Sequence, residues 1–229
     1  MKELYIFCEG QTEQGFCSRV LQPYFFPDHD GLIHTVRIAH SRRKGRDSRG
    51  GVNKYQIIKD DMLRSFSEHQ RPQILFTSFI DLYALPRDFP GYEQNTRNPD
   101  NPRPFVEALE AAFQNDIPDT RFIAYLQLHE FETFFFADPD ALRIAYEHID
   151  SAVTELRDVA EKAGDIETIN DSRETAPSKR VIKVISAYQY DKITVGPDVA
   201  EYIGMQKLIS ACPHFADWVE RISTTLSKL

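Results

Sequence analysis

Five acidic residues follow apolar runs of the sequence, at positions where buried strands would end. They are Glu9 and Glu13 in the first part of the chain, Asp81 further on, and Glu130 and Glu132 after that. Carboxylates brought within a few ångströms of one another repel unless a cation neutralises them. Hard divalent cations prefer carboxylate oxygens, and no Cys/His set here suggests zinc. The pattern therefore predicts a site for Mg²⁺ or Mn²⁺.

Parallel strands would bring these acids together. The runs 4–7, 74–80 and 122–128 are strongly apolar, as buried parallel strands are. The carboxyl ends of parallel strands share one edge of an open α/β sheet, where ligands usually bind, so Asp81 and Glu9 are expected to converge. Strand alternation beyond residue 128 would place Glu130 and Glu132 on one face.

Each acid taken alone also has a plainer interpretation. Gly10 permits a tight turn, after which Thr12 can cap a helix with Glu13 in its first turn, where a carboxylate complements the helix dipole. Glu9 is then a solvated loop acid. His129 is either a ligand or acid–base group, or a histidine of the core or behind the ligands.

A strongly basic segment lies between residues 37 and 54, which hold seven basic residues and one acidic residue. Its central cations are Arg42, Arg43, Lys44, Arg46 and Arg49. Residues 41–51 contain three glycines, two serines and no large apolar side chain, which predicts a loop. The loop is either a phosphate-contacting arm for a polyanion or a solvated charge run.

A second candidate phosphate site lies at the start of a helix that is predicted to begin at Pro177. Ser178, Lys179 and Arg180 combine free backbone amides, the positive end of the helix dipole and cations. The alternative is a capped helix with solvated basic residues. Further on, Tyr188–Lys192 offers aromatic and basic side chains for base stacking or phosphate contact.

Composition is that of an ordinary globular protein: 229 residues, 41% hydrophobic and 27% charged. The net charge of -8 argues against a generally basic, nucleic-acid-coating surface. Three cysteines without a C-x-x-C pair, no signal peptide before Leu4 and no apolar run near ~20 residues predict a cytoplasmic protein with no membrane span. We expect an α/β core over residues 1–140 and a helical extension packed on it over 141–229.

The acidic motifs together resemble a known family. Glu9-Gly10-Gln11-Thr12-Glu13, Asp81-Leu82-Tyr83, His129-Glu130-Phe131-Glu132 and Pro177-Ser178-Lys179-Arg180 resemble the bacterial domain-of-unknown-function family 4276. That family is similar to Toprim domains, especially the nuclease half of overcoming-lysogenisation-defect proteins. The resemblance runs over nearly the whole chain and implies a Toprim-like, Rossmann-like, mostly parallel sheet flanked by helices, with a helical C-terminal part.

The resemblance also implies roles for individual residues. Glu9 and Glu13 take the places of the first paired acids, Asp81 that of the first acid of an Asp-x-Asp motif, and Glu130 and Glu132 those of the third acidic pair. Glu9 would be catalytic, and Lys179 would be the distal, catalytic basic group that stabilises charge on the transition state. Tyr83 stands where the second Asp belongs, which puts full metal occupancy in doubt and leaves Tyr83 a neighbour of the ligands.

The sequence therefore predicts a metal-dependent nuclease acting on DNA or RNA. The resemblance implies a setting in prokaryotic anti-phage defence with a separately encoded ATPase as partner. Two alternatives stay open: a catalytically silent module that binds nucleic acid or the ATPase, and a phosphotransfer enzyme acting on a small nucleotide.

Overall fold

The structure, a computed structural model, describes residues 1–38, 54–98, 101–169 and 174–229. The basic cations at positions 42–49, predicted to contact phosphates, lie outside the described residues.

Within those ranges, five strands pair in parallel. They are β1 (Lys2–Cys8), β2 (Gly31–Arg37), β3 (Ile74–Asp81), β4 (Phe122–Ile123) and β5 (Leu126–Gln127). The order is β2-β1-β3-β4, and β5 also pairs with β3. Central β1 is buried along almost its whole length, as its continuous apolar run predicts.

Helices flank this sheet. They are α1 (Gln11–Phe16), α2 (Gln22–Phe25), α3 (Tyr55–Glu68), α4 (Arg103–Asp116), α5 (Asp150–Ala163), α6 (Pro177–Val184), α7 (Tyr188–Ile203), α8 (Met205–Ala211) and α9 (Pro213–Leu226). A π-helical turn, Cys17–Leu21, joins α1 to α2, and 3₁₀ turns occupy Leu82–Ala84, Phe131–Ala137, Pro139–Ile144 and Ile166–Thr168. The predicted α/β class, a parallel sheet flanked by helices with a helical C-terminal part, is confirmed.

Alternate residues of β1 enter two different hydrophobic cores. Leu4 and Ile6 pack in the core that includes α1 and the C-terminal helices. Tyr5 and Phe7 point to the opposite face and pack in the core formed with α3 and α4. Trp218 of α9 ties the C-terminal helices to the sheet, because its Nε1–H donates to Thr77 Oγ1 of β3 at 2.8 Å. The C-terminal helices thus form one of the two layers that bury the sheet.

The predicted strand over 122–128 is broken into β4 and β5. At the break, side-chain oxygens accept hydrogen bonds from backbone N–H groups that would pair with a neighbouring strand in a regular sheet. Tyr125 N–H donates to Ser78 Oγ at 2.9 Å, and Ala124 N–H donates to Gln114 Oε1 at 2.9 Å. Because these partners come from β3 and α4, the interruption depends on tertiary contacts that the apolar run itself does not reveal.

Candidate active site

Glu9 and Asp81 lie side by side at the carboxyl edge of the sheet. Glu9 follows the last residue of β1 and Asp81 ends β3, the strand with which β1 pairs in parallel. The backbone N–H of Asp81 donates to Glu9 Oε1 at 3.0 Å. The two acids therefore meet where the parallel strand pair predicts.

Glu13 reaches the same edge from the first turn of α1. Gly10, in an extended conformation, is the residue before the helix, and its N–H donates to Glu13 Oε2 at 2.8 Å. The prediction that Thr12 caps this helix is wrong, because the helix already begins at Gln11 and Thr12 lies within it. Glu13 is only 8% exposed, so it both closes the start of the helix and adds a buried carboxylate to the site.

The backbone that positions Glu130 and Glu132 differs from the predicted strand. The strand ends at Gln127, and His129 has a left-handed φ of 65° that redirects the chain. Glu130 is extended, whereas Glu132 lies in the first turn of the following 3₁₀ helix. The prediction that strand alternation places both acids on one face is therefore wrong in its geometry.

Each of the other four acids lies near enough to Asp81 to raise its pKa. Burial raises the pKa of Glu9 to about 8, and the charges of Glu13 and Glu130 add to that rise. Burial also raises the pKa of Asp81 well above its usual range, and each of the other four acids, including Glu132, raises it further. The structure thus brings together the carboxylates predicted from three separate segments.

The protein itself neutralises part of this charge. Glu130 Oε2 accepts the Ser178 N–H at 2.9 Å. Glu132 Oε1 accepts from Lys192 Nζ at 2.8 Å and from the Tyr188 hydroxyl at 3.1 Å. By contrast, Asp81 Oδ1 is buried without a hydrogen-bond partner among the described residues. One carboxylate oxygen therefore remains uncompensated at the centre of the set.

Close packing of α7 against α1 puts Lys192 beside these acids. A Cβ on Gly15 of α1 would lie 2.5 Å from Pro197 Cγ of α7, and a Cβ on Gly196 would lie 2.8 Å from Thr12 Cγ2. Two glycines thus let the helices approach to a distance that larger residues would prevent. Burial raises the pKa of both Glu13 and Glu130, and the positive charge of Lys192 offsets part of that rise.

The predicted phosphate site at the start of α6 is arranged differently. The Ser178 N–H already holds Glu130. Arg180 Nε donates to the Thr175 carbonyl at 2.7 Å. Lys179 is exposed and forms no ion pair within the described part of the chain. Lys192 contacts the acidic set, whereas the sequence analysis placed it only in a segment for base stacking or phosphate contact. Its i,i+4 spacing from Tyr188, which puts both side chains on one helix face, is the sequence feature that could have indicated this position.

His129 and Tyr83 lie behind Asp81. His129 is fully buried, and neither ring nitrogen has a hydrogen-bond partner of ordinary geometry among the described residues. Burial, followed by the charge of Arg97, lowers the pKa of His129 to about 4, so the ring is neutral at physiological pH. Tyr83, whose ring lies 5.6 Å from that of His129, accepts a 2.7 Å hydrogen bond from Arg97 Nη2 at its hydroxyl. His129 is thus a core histidine in this arrangement.

A cleft of about 420 Å³ opens onto the acidic edge. Its walls are Glu9, Gly10, Gln11, Thr12, Glu13, Gln189, Tyr190, Lys192 and Ile193. Residues of the β1–α1 turn thus face residues of the first two turns of α7 across the space where a ligand would lie.

The donor set suits Mg²⁺ or Mn²⁺ in type, since it consists of carboxylate oxygens and includes the unpartnered Asp81 Oδ1. In the described ranges, no group of three or more Asp, Glu, His or Cys side chains is arranged to hold a metal ion. Glu9, Glu130 and Glu132 each accept a hydrogen bond from a protein donor. An ion held by these acids would have to compete with those donors.

A family model described as a domain of unknown function, DUF4276, matches residues 8–223. The chain belongs to the DUF4276 family. The DUF4276 match begins one residue before Glu9 and includes all five acids and Lys192. Comparison with curated proteins found no match, and comparison with solved structures found none either. Similarity to Toprim domains therefore stays a prediction for this DUF4276 chain.

Within the described ranges, no helix combines the length and the apolar composition needed to cross a membrane.

Proposed function

We propose that this DUF4276 protein is a metal-dependent nuclease that hydrolyses phosphodiester bonds of DNA or RNA. The observation that carries the proposal is the convergence of four other carboxylates on Asp81, whose Oδ1 is buried and has no hydrogen-bond partner in the described chain. Glu9, Glu13, Asp81, Glu130 and Glu132 would hold the ion. Bound Mg²⁺ or Mn²⁺ would supply an activated water and neutralise charge on the scissile phosphate.

Glu9 is suited to hold or accept a proton in this site. Without a bound ion its pKa is about 8, so Glu9 carries a proton at neutral pH that a bound cation would displace. The hydrogen bond from the Asp81 N–H orients Glu9 Oε1, and Glu9 also lines the cleft.

Lys192 is the described cation best placed to contact a phosphate in the cleft. It lines that cleft and is held 2.8 Å from Glu132 Oε1. A lysine on a flexible four-carbon stem can move between a carboxylate and a nearby phosphate without backbone movement. The resemblance assigned this part to Lys179, which is exposed.

The second candidate function is a catalytically silent module that binds nucleic acid or a separately encoded ATPase. Tyr83 favours it, because a tyrosine held by Arg97 occupies the place where the resemblance implies a second metal-binding Asp. The ATPase partner and the setting in anti-phage defence rest on the resemblance alone. A cytoplasmic location belongs to the same proposal, supported by three free, buried cysteines.

The test is a cleavage assay with single-stranded and duplex DNA and RNA in Mg²⁺, Mn²⁺ or EDTA. We expect cleavage by the parent protein with a divalent ion, and none by Asp81→Asn. Asp28→Asn is the matched control, since Asp28 is exposed. If the parent cleaves nothing under any of these conditions, with or without an ATPase partner, the binding-module function takes the place of the nuclease.

A further inference from the structure

An exposed tyrosine stands at the rim of the acidic cleft. Tyr190 is 83% exposed, and Ile193, one helical turn further along α7, is 55% exposed. Both line the cleft that also contains Glu9 and Glu13. Two large apolar side chains therefore face solvent at the site rather than in a core.

The residues beside Tyr190 hold it in that position. Tyr188 is fully buried and donates its hydroxyl hydrogen to Glu132, and Lys192 forms an ion pair with the same carboxylate. Lys192 Nζ also lies 5.6 Å from the centre of the Tyr188 ring. Because these two side chains anchor the start of α7 inward, Tyr190 is presented outward on a fixed backbone.

We propose that Tyr190, supported by Ile193, is a stacking platform for an unpaired nucleobase, so that the site takes single-stranded nucleic acid. Every base offers a π-face, and an exposed aromatic ring binds it without regard to sequence. A base on Tyr190 places its own phosphate beside Lys192 and directs the strand toward Glu9 and Glu13. Bases within a duplex are already stacked on both faces and cannot use the ring without leaving the helix.

The surroundings favour a base over a protein partner. Apart from Tyr190 and Ile193, the cleft wall consists of polar or charged residues and Gly10. A specific protein interface normally buries about 800 Å² on each partner around an apolar centre, far more than two side chains supply. A single aromatic ring beside a cation and hydrogen-bonding groups matches the size and chemistry of one nucleotide.

The reason for binding a nucleic-acid strand rests on the proposed function, but the test of the stacking platform does not require cleavage. Fluorescence anisotropy would measure binding of labelled 12-nucleotide oligo(dT) and oligo(U), and of a 12-base-pair duplex, in Mg²⁺ and in the Asp81→Asn background. The variants are Tyr190→Ala and Tyr190→Phe. Tyr202→Ala is the matched control, because Tyr202 is 65% exposed on the same helix, about 18 Å further along it.

We expect Tyr190→Ala to weaken single-strand binding by about 5- to 150-fold, the effect of losing one base–aromatic stack. Tyr190→Phe should bind like the parent, since the ring remains, and so should Tyr202→Ala. Duplex binding should be weaker than single-strand binding and insensitive to Tyr190.

The inference is overturned if Tyr190→Ala binds single strands as tightly as the parent, if the duplex binds at least as tightly, or if no strand binds. The first of these results, combined with cleavage by the parent, leaves the nuclease function intact and rules out the stacking platform. Conversely, if the parent cleaves no nucleic acid but binds single strands in a Tyr190-dependent way, the stacking platform is supported and the nuclease function is rejected.

Discussion

The backbone N–H of Asp81 donates a hydrogen bond to Glu9 Oε1 at 3.0 Å across a sequence separation of 72 residues. This contact joins the carboxyl ends of β1 and β3 and fixes one oxygen of Glu9. It leaves the side chain of Asp81 surrounded by acids, with a buried Oδ1 that has no hydrogen-bond partner in the described chain. Protons or cations that bind here relieve repulsion stored in the folded protein.

Stability should therefore fall as pH rises. The pKa of Glu9 is raised in the folded state from 4.5 to about 8, so the folded protein binds a proton that the unfolded chain has already released. This contribution is complete below about pH 4.5 and is lost as pH rises toward 8. The raised pKa values of Asp81 and Glu130 act in the same direction. We expect the Tm to be lower at pH 8.5 than at pH 6.

The variant Glu9→Gln should be more stable than the parent at pH 8.5 and should show a shallower dependence of Tm on pH. Scanning calorimetry across that range measures both quantities, with Asp28→Asn as the control. A Glu9→Gln protein with the parent's full pH dependence would show that another group is responsible.

Divalent ions should stabilise the protein more at high pH than at low pH. Protons and cations compete for the same carboxylates, so Mg²⁺ or Mn²⁺ should raise the Tm at pH 8 more than at pH 6. Isothermal titration should show binding that Asp81→Asn weakens strongly and Asp28→Asn does not. An equal Tm in EDTA and in Mn²⁺ at pH 8 would contradict the metal site.

Lys192 should matter more for turnover than Lys179. A cation beside developing phosphate charge typically contributes about 10²–10³-fold in rate, so Lys192→Met should slow single-turnover cleavage by that order. Lys179→Met should cleave near the parent rate, because Lys179 is exposed and has no ion pair in the described chain. The opposite ranking would restore the role that the family resemblance gives Lys179.

Gly15→Ala should destabilise the protein. The new Cβ would lie 2.5 Å from Pro197 Cγ, in a ring that cannot move aside easily. Overpacking of this kind typically costs about 1–3 kcal/mol in the free energy of unfolding. Urea denaturation measures the loss, and Ser18→Ala, on the exposed side of the next turn, should change it by less than about 0.5 kcal/mol. Parent-like stability of Gly15→Ala would mean that α7 can shift away from α1.

The basic segment carries a separate prediction that rests on the sequence. Replacing Arg42, Arg43, Lys44, Arg46 and Arg49 by Ala should flatten the slope of log affinity against log salt for DNA and RNA, since fewer counterions are released. The measurement is a set of binding curves between about 50 and 200 mM salt. An unchanged slope would make the segment a solvated charge run.

Much of the scaffold could be predicted because its signals are local. The apolar run before Glu9 is buried as β1, and the run that ends at Asp81 is β3. Once both are parallel strands of one sheet, geometry brings their ends together. The predicted strand before His129 was only partly right, because Ser78 and Gln114 bind its backbone from other elements.

The sequence by itself determined that Glu9 and Asp81 meet at the sheet edge, since residue order along β1 and β3 sets where each strand ends. Only the tertiary structure decided which cation accompanies them and which buried carboxylate oxygen has no hydrogen-bond partner among the described residues. Lys192 faces Glu132 because Gly15 and Gly196 allow α7 to pack closely on α1, a contact between segments 180 residues apart. Pairing between charges so far apart in sequence depends on how the helices pack, so a local sequence pattern cannot predict it.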